Sequence, residues 1–231
     1  MTPTASRESA ALPPGAYDID CVRCPRLAAF LGQVRREYPT YFCRPVGPFG
    51  DPRARLVVVG LAPGKHGANA TGRPFTGDYA GILLYRTLYD FGFATEPESL
   101  GAGDSLRLVD ARISNAVKCL PPGNKPLPPE IRNCNGYLAV ELSVLPDGAA
   151  ILALGHVAHA AVLRALHLRA SEHPFAHGAS HALPRGARLF DSYHCSRYNA
   201  NTGRITAAMF RRVFRAIARH LDPERSGVRA A

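Results

Sequence analysis

Four cysteines stand in two pairs: Cys21 and Cys24 are three positions apart, and Cys119 and Cys134 lie far downstream with fourteen residues between them. Two sulfurs three positions apart reach one metal centre from a single turn, and two more must then come from elsewhere in the fold. Four thiolates suit a [4Fe–4S] cluster or a structural zinc, and spacing alone does not choose between them. Buried, unligated thiols are the third reading. The N-terminus shows no basic stretch followed by an apolar core, so no secretory signal is read there, and a disulfide scaffold is not expected. Cys43 and Cys195 fit neither pair and are assigned to packing. A second group carries polar chemistry: Asp78, Asn115, His194 and Asn199. Together they offer an anion, a titratable imidazole, and amides that both donate and accept.

These residues need elements to gather them. Four segments read as strands: 55–60, 112–119, 149–155 and 187–194, of which 55–60 is a continuous apolar run of the buried parallel kind. Helical spacing of apolar residues covers 80–91, 129–145, 156–168 and 206–221. Strand–helix alternation predicts an α/β fold, three layers α/β/α around a central, mainly parallel four-stranded sheet. The expected unit is one domain over 16–221, with loose tails at 1–15 and 222–231. In open α/β sheets ligands bind beyond the carboxyl ends of the strands. That rim would collect Asp78, Asn115, His194 and Asn199. The Pro- and Gly-rich stretch 120–129 reads as a surface loop.

The chain of 231 residues has a formal net charge of +10, with a pI near 9.7. A balance this basic favours a polyanionic partner. The basic residues are nearly all arginine, Lys65, Lys118 and Lys125 being the only lysines, and codon bias gives the same excess. No apolar run approaches the roughly 20 residues of a membrane span, so a cytoplasmic location is expected. No coiled coil is evident, and a monomer is expected.

Three strings, taken in order, carry a resemblance: Gly60-Leu61-Ala62-Pro63-Gly64; Gly72-Arg73-Pro74-Phe75-Thr76-Gly77-Asp78; and His194-x-Ser196-x-x-Asn199-x-x-Thr202-Gly203-Arg204. With the cysteine pairs, they resemble the uracil-DNA glycosylase superfamily, and within it family 5, the B-type iron–sulfur enzymes. The resemblance runs from about Cys21 to the final helix. It implies a [4Fe–4S] cluster on Cys21, Cys24, Cys119 and Cys134, a DNA partner, nucleoid association, and excision of uracil and other deaminated bases such as hypoxanthine. Two departures stand out. The first string has no acidic or amide residue to position water, which family 5 shares, and Cys195 stands where members usually carry proline.

The resemblance and the chemistry together imply roles. Breaking an N-glycosidic bond builds positive charge on the sugar and negative charge on the base, so an anion and hydrogen-bond donors are needed. Asp78 is expected at the sugar, His194 at the leaving base, and Asn115 at the base edge. Phe75 is expected to stack on a flipped base, beside the close-approaching 60–64 backbone. Asn199 is expected in the substrate site, where it helps orient the last string. Ser196, Arg197 and Arg204, and more weakly Lys65 and Arg73, are expected on phosphates. Each has a plainer reading: Asp78 as a helix N-cap, Asn115 as a loop cap, His194 as a structural histidine, Phe75 as core. His66 has no task, and His156 and His159 are read as structural. The alternatives are a family 4-like enzyme confined to uracil, an electron-transfer iron–sulfur protein, and a DNA-binding module without catalysis. No amine nucleophile for lyase chemistry is evident.

Overall fold

The computed structural model describes residues 13–222. The expected tails therefore lie almost wholly outside the described residues. In chain order the elements are α1 (Pro25–Glu37), β1 (Phe49–Gly50), β2 (Leu56–Gly60), α2 (Ala68–Thr71), α3 (Tyr79–Asp90), β3 (Ala111–Asn115), α4 (Pro128–Ser143), β4 (Ala150–Leu154), α5 (His156–Ala165), β5 (Ser180–Ala182), β6 (Arg188–Ser192), α6 (Arg197–Asn201) and α7 (Ala207–Leu221), with three 3-10 turns between them.

The sheet has six strands, not the expected four, in the order β1-β3-β2-β4-β6-β5. The four expected strands form its parallel centre. The additions are antiparallel edges of two and three residues. Edges this short hold too few residues for an alternating pattern to register.

The central strands are buried on both faces, which is why they read as unbroken apolar runs. Alternate side chains serve opposite layers. Leu56 and Val58 join Leu84 and Leu88 of α3 and Phe210 and Phe214 of α7. Val57 and Val59 join Leu138 and Leu142 of α4 and Val162 of α5. This is the expected three-layer α/β/α arrangement. Among the described residues no helix is long and apolar enough to cross a membrane.

A third core lies outside the sandwich. The helix α1, not expected from the sequence, buries Leu27, Leu31 and Val34 at helical spacing, and Pro25 sits in its first turn where a missing N–H costs nothing. It packs against Val117, Leu120 and Tyr137. The Arg26 guanidinium grips Glu130 of α4 through two bonds of 2.7 Å, bracing the start of α1 against α4.

Candidate active site

The parallel register puts Gly60 beside Asn115 at the ends of β2 and β3. Chain leaving β6 reaches His194 at the same rim. A pocket opens there, with about 920 Å³ of space counting its open mouth, and its walls include Asp78, Asn115, His194, Phe75 and Asn124.

Asp78 has its plainer role and also lines the pocket. It is the N-cap of α3, its Oδ1 accepting from the Gly81 N–H at 2.9 Å. Its Oδ2 lies against the 64–67 turn, where a Cβ on Gly67 would come within 2.7 Å of it. Gly67 thus leaves room for a carboxylate to face the pocket. Asn115 is buried, and its Oδ1 has no hydrogen-bond partner. A buried amide oxygen left open is costly unless a ligand or water meets it. Gly60 makes the space it needs, since a Cβ there would sit 2.4 Å from Asn115 Oδ1 and 2.7 Å from the Phe75 ring.

Phe75 has φ 54, the left-handed region that bulky residues rarely adopt. Its ring stacks on His194 at 5.8 Å between centroids, tilted 30°. Neither ring nitrogen of His194 has a hydrogen-bond partner among the described residues. Burial holds its pKa below the ordinary value, against the opposing pull of the Asp78 carboxylate. A neutral imidazole with an unengaged N–H is therefore presented to the pocket. The His194 backbone is fixed from behind: Asn199 Nδ2 donates to its carbonyl at 2.8 Å, and the fully buried Cys195 thiol donates to Ala80 O at the start of α3.

The other expected site residues divide. Leu61, Ala62, Gly64, Ser196 and Arg197 line the pocket. Arg197 is exposed at its mouth, with its guanidinium over the Tyr79 ring. Pro63 is buried and does not line the pocket, and Asn199 acts on the backbone of His194 instead. Arg204 is exposed over the Tyr193 ring, and Lys65 pairs with Glu37 above the Tyr38 ring. Arg73 differs most from expectation. It is 5% exposed, bonded to Asp104, Ser99 and the Ala102 carbonyl, and stacked over Phe49. Its donors face inward, so it is a brace for the 99–104 loop, not a phosphate contact. His159 has a structural setting, bonded to Asp191 at 2.7 Å and to His173 O at 2.8 Å.

Asn124 was not anticipated. The expected 120–129 loop is exposed at 123–125, but Leu120 and Pro121 are buried and Pro128 and Pro129 begin α4. Asn124 turns through φ 56, a conformation asparagine tolerates, and lines the pocket. An amide in a Pro-Gly-Asn turn was the available signal.

Cys21, Cys24, Cys119 and Cys134 line one cavity beneath α1, walled by Leu27 and Val117. The other three thiols all act electrostatically on Cys119, so the four sit together. A tetrahedral zinc with Zn–S of about 2.3 Å would hold its sulfurs about 3.8 Å apart. Four thiols lining one cavity suit such a zinc or a [4Fe–4S] cluster. Burial first, and then the neighbouring thiols, push the Cys119 pKa up to about 12, so any group bound there must supply positive charge to take its thiolate. The Lys118 backbone N–H donates to Cys134 Sγ at 3.2 Å, and Asn133 Nδ2 to Cys24 Sγ at 3.7 Å.

Residues 48–218 match the model of the uracil DNA glycosylase superfamily. The chain belongs to that superfamily. A protein named Type-5 uracil-DNA glycosylase from Thermus thermophilus is 49% identical over 195 residues, covering 82% of this chain and 89% of its own. One of the same name from Pyrobaculum aerophilum is 40% identical over 216 residues, covering 89% and 94%. A Type-4 uracil-DNA glycosylase from Archaeoglobus fulgidus matches less of the chain, 36% over 110 residues and 47% of each. The alignment along nearly the whole length places the chain with type 5.

Proposed function

We propose that the protein is a monofunctional DNA glycosylase that hydrolyses the N-glycosidic bond of uracil, and of other deaminated bases such as hypoxanthine, leaving an intact abasic strand for base-excision repair. The observation that carries this is the pairing of the Asp78 carboxylate with the neutral His194 imidazole on one pocket. A flipped nucleotide fits between them. The Phe75 ring offers the base a face to stack on. As the bond lengthens, electrons pass to the base, and the His194 N–H stabilises the anion growing on its carbonyl oxygen. Asp78 Oδ2 faces the positive charge growing on the sugar. Water then adds to the sugar carbon, and its proton neutralises the departed base. Asn115 reads the base edge. Asn124, on the pocket wall, supplies an amide able to hold the water.

Lyase chemistry needs an amine at the sugar. No lysine lines the pocket. Lys65 is held by Glu37, and Lys118 lies buried against Glu141. The exposed Arg197, with Ser196 beside it and Arg204 beyond, suits the strand's phosphates. Cys21, Cys24, Cys119 and Cys134 would hold a [4Fe–4S] cluster, which ties the N-terminal segment to the loop after β3 and α4. The protein is proposed to act as a monomer, at the nucleoid.

The test is excision from an end-labelled duplex carrying one uracil, with and without hot alkali. Breakage only after alkali is expected, with hypoxanthine duplex cut as well. Breakage before alkali would overturn the monofunctional reading. No breakage by folded, iron-loaded protein would overturn the enzyme.

A further inference from the structure

Lys118 lies three residues after Asn115 and immediately before Cys119. Its side chain folds back beneath the end of β3. The ammonium donates to the Asn115 carbonyl at 2.9 Å, to Ser114 Oγ at 2.5 Å and to Glu141 Oε1 at 2.5 Å. The Lys118 and Glu141 side chains are 2% and 0% exposed. An ion pair buried this completely is a poor device for stability, because desolvation offsets most of the attraction and apolar residues of similar volume do as well. What it supplies is direction, since an ammonium has three donors and here each has an acceptor. Two of those acceptors belong to Ser114 and Asn115.

The rest of the segment is fixed too. The Ala116 and Val117 N–H groups donate to the carbonyls of Gly60 and Leu61, 2.9 and 3.0 Å away. The Lys118 N–H is held by Cys134 Sγ. The Asn115 peptide is thus gripped from below by a side chain whose own backbone is anchored at the four-cysteine site. Its amide, with an unpartnered Oδ1, is the part left to meet a ligand.

We propose that Lys118 is a positioning residue: through the Asn115 carbonyl it holds the Asn115 amide in register with a flipped base, and so sets base recognition without touching the base. The inference rests on the glycosylase reading above. No atom or charge is transferred through it.

The test compares full-length, iron-loaded proteins. Lys118→Met with Glu141→Gln removes both charges together, so that neither is left buried alone. Expected are a kcat on uracil duplex lowered at least tenfold and an inhibition constant for free uracil raised at least tenfold. KM for the duplex, affinity for abasic duplex, and iron content should stay within twofold of wild type. A protein that had merely lost structure would lose abasic-DNA binding and iron as well, and that outcome would overturn a positioning role. Asn115→Ala in this background should cost less than threefold more, because its amide is already misplaced. The same fold loss from Asn115→Ala in both backgrounds, or unchanged uracil inhibition, would also overturn the proposal.

Lys118→Gln with Glu141→Gln keeps an amide donor toward the Asn115 carbonyl and should recover part of the loss. This variant takes the place of the first in the cycle should the methionine protein not fold. A wild-type chain that neither excises nor binds uracil would overturn both this proposal and the glycosylase reading.

Discussion

In the mechanism we propose, the Asp78 carboxylate serves two purposes, because Oδ1 caps α3 while Oδ2 lies against the 64–67 turn. Asparagine caps a helix about as well as aspartate, so Asp78→Asn keeps the bond to Gly81 and removes the charge. The expected outcome is a melting midpoint within 2 °C or so of wild type with excision lowered at least ~100-fold. His194 makes a second prediction. Its pKa is lowered by burial, so the imidazole is already neutral at pH 7. Excision should therefore not decline between pH 6.5 and 8; a decline across that window would mean that the imidazolium is the working form. Arg73 makes a third. Its partner Asp104 is held below the usual carboxylate range: burial pushes upward, and the Arg73 guanidinium and the Gly101 and Leu100 N–H groups outweigh it. Arg73→Ala strands that charge and should cost roughly 3 kcal/mol in urea unfolding, leaving the salt dependence of DNA binding unchanged.

At the scale of elements, β6 is the strand that delivers His194, and its Asp191 is gripped from both sides. His159 of α5 donates to one oxygen at 2.7 Å and His181 of β5 to the other at 3.2 Å. The second nitrogen of His159 faces the His173 carbonyl. Two acceptors on one imidazole call for two protons. Burial lowers the His159 pKa, but Asp191 and the His173 carbonyl outweigh it, and the net shift is upward. A folded-state pKa above the unfolded one stabilises fully below about pH 6.5, and that stabilisation is lost as pH rises through the folded value. The midpoint difference between wild type and His159→Gln should be greatest below pH 6.5 and shrink on going alkaline, as read by thermal scans at several pH values. The central strands were legible in the sequence because burial on both faces writes an unbroken apolar run. The edges Phe49–Gly50 and Ser180–Ala182 were not, being too short to write any pattern. The rim residues Asp78, Asn115 and His194 followed from strand ends alone. Arg73 misled because it sits inside a motif string, and only the distant Asp104 explains it. Asn124 was hidden because a turn residue declares a bend and not the direction its side chain takes.

For the molecule as a whole, the charge of +10 is not equivalent to ten phosphate contacts. That net figure already cancels ion pairs such as Arg26–Glu130, Arg73–Asp104 and Arg55–Asp110, and what is left acts on a bound strand only where it lies close to it. Arg197, exposed at the pocket mouth, is proposed to meet the strand around a flipped base. Arg197→Ala should weaken duplex binding across sequences and reduce the slope of log affinity against log salt by about 1, measured by fluorescence anisotropy at several salt concentrations. Lys65→Ala, whose ammonium already has Glu37, should change that slope less.

The four-cysteine site also sets an order of events in the life of the chain. Its first pair leaves the ribosome roughly 100 residues ahead of its second, which at about 5–20 residues per second is a delay on the order of 5–20 s. During that interval Cys21 and Cys24 are reduced thiols on an unfinished chain, with no α4 to close over them. Their partners follow β3, and Cys134 lies within α4, so the clasp closes only after half the sheet has been synthesised. Loading of the proposed cluster is therefore a late step that depends on prior folding, and a chain without it would hold its N-terminal helix by the apolar face of α1 and the Arg26–Glu130 pair alone.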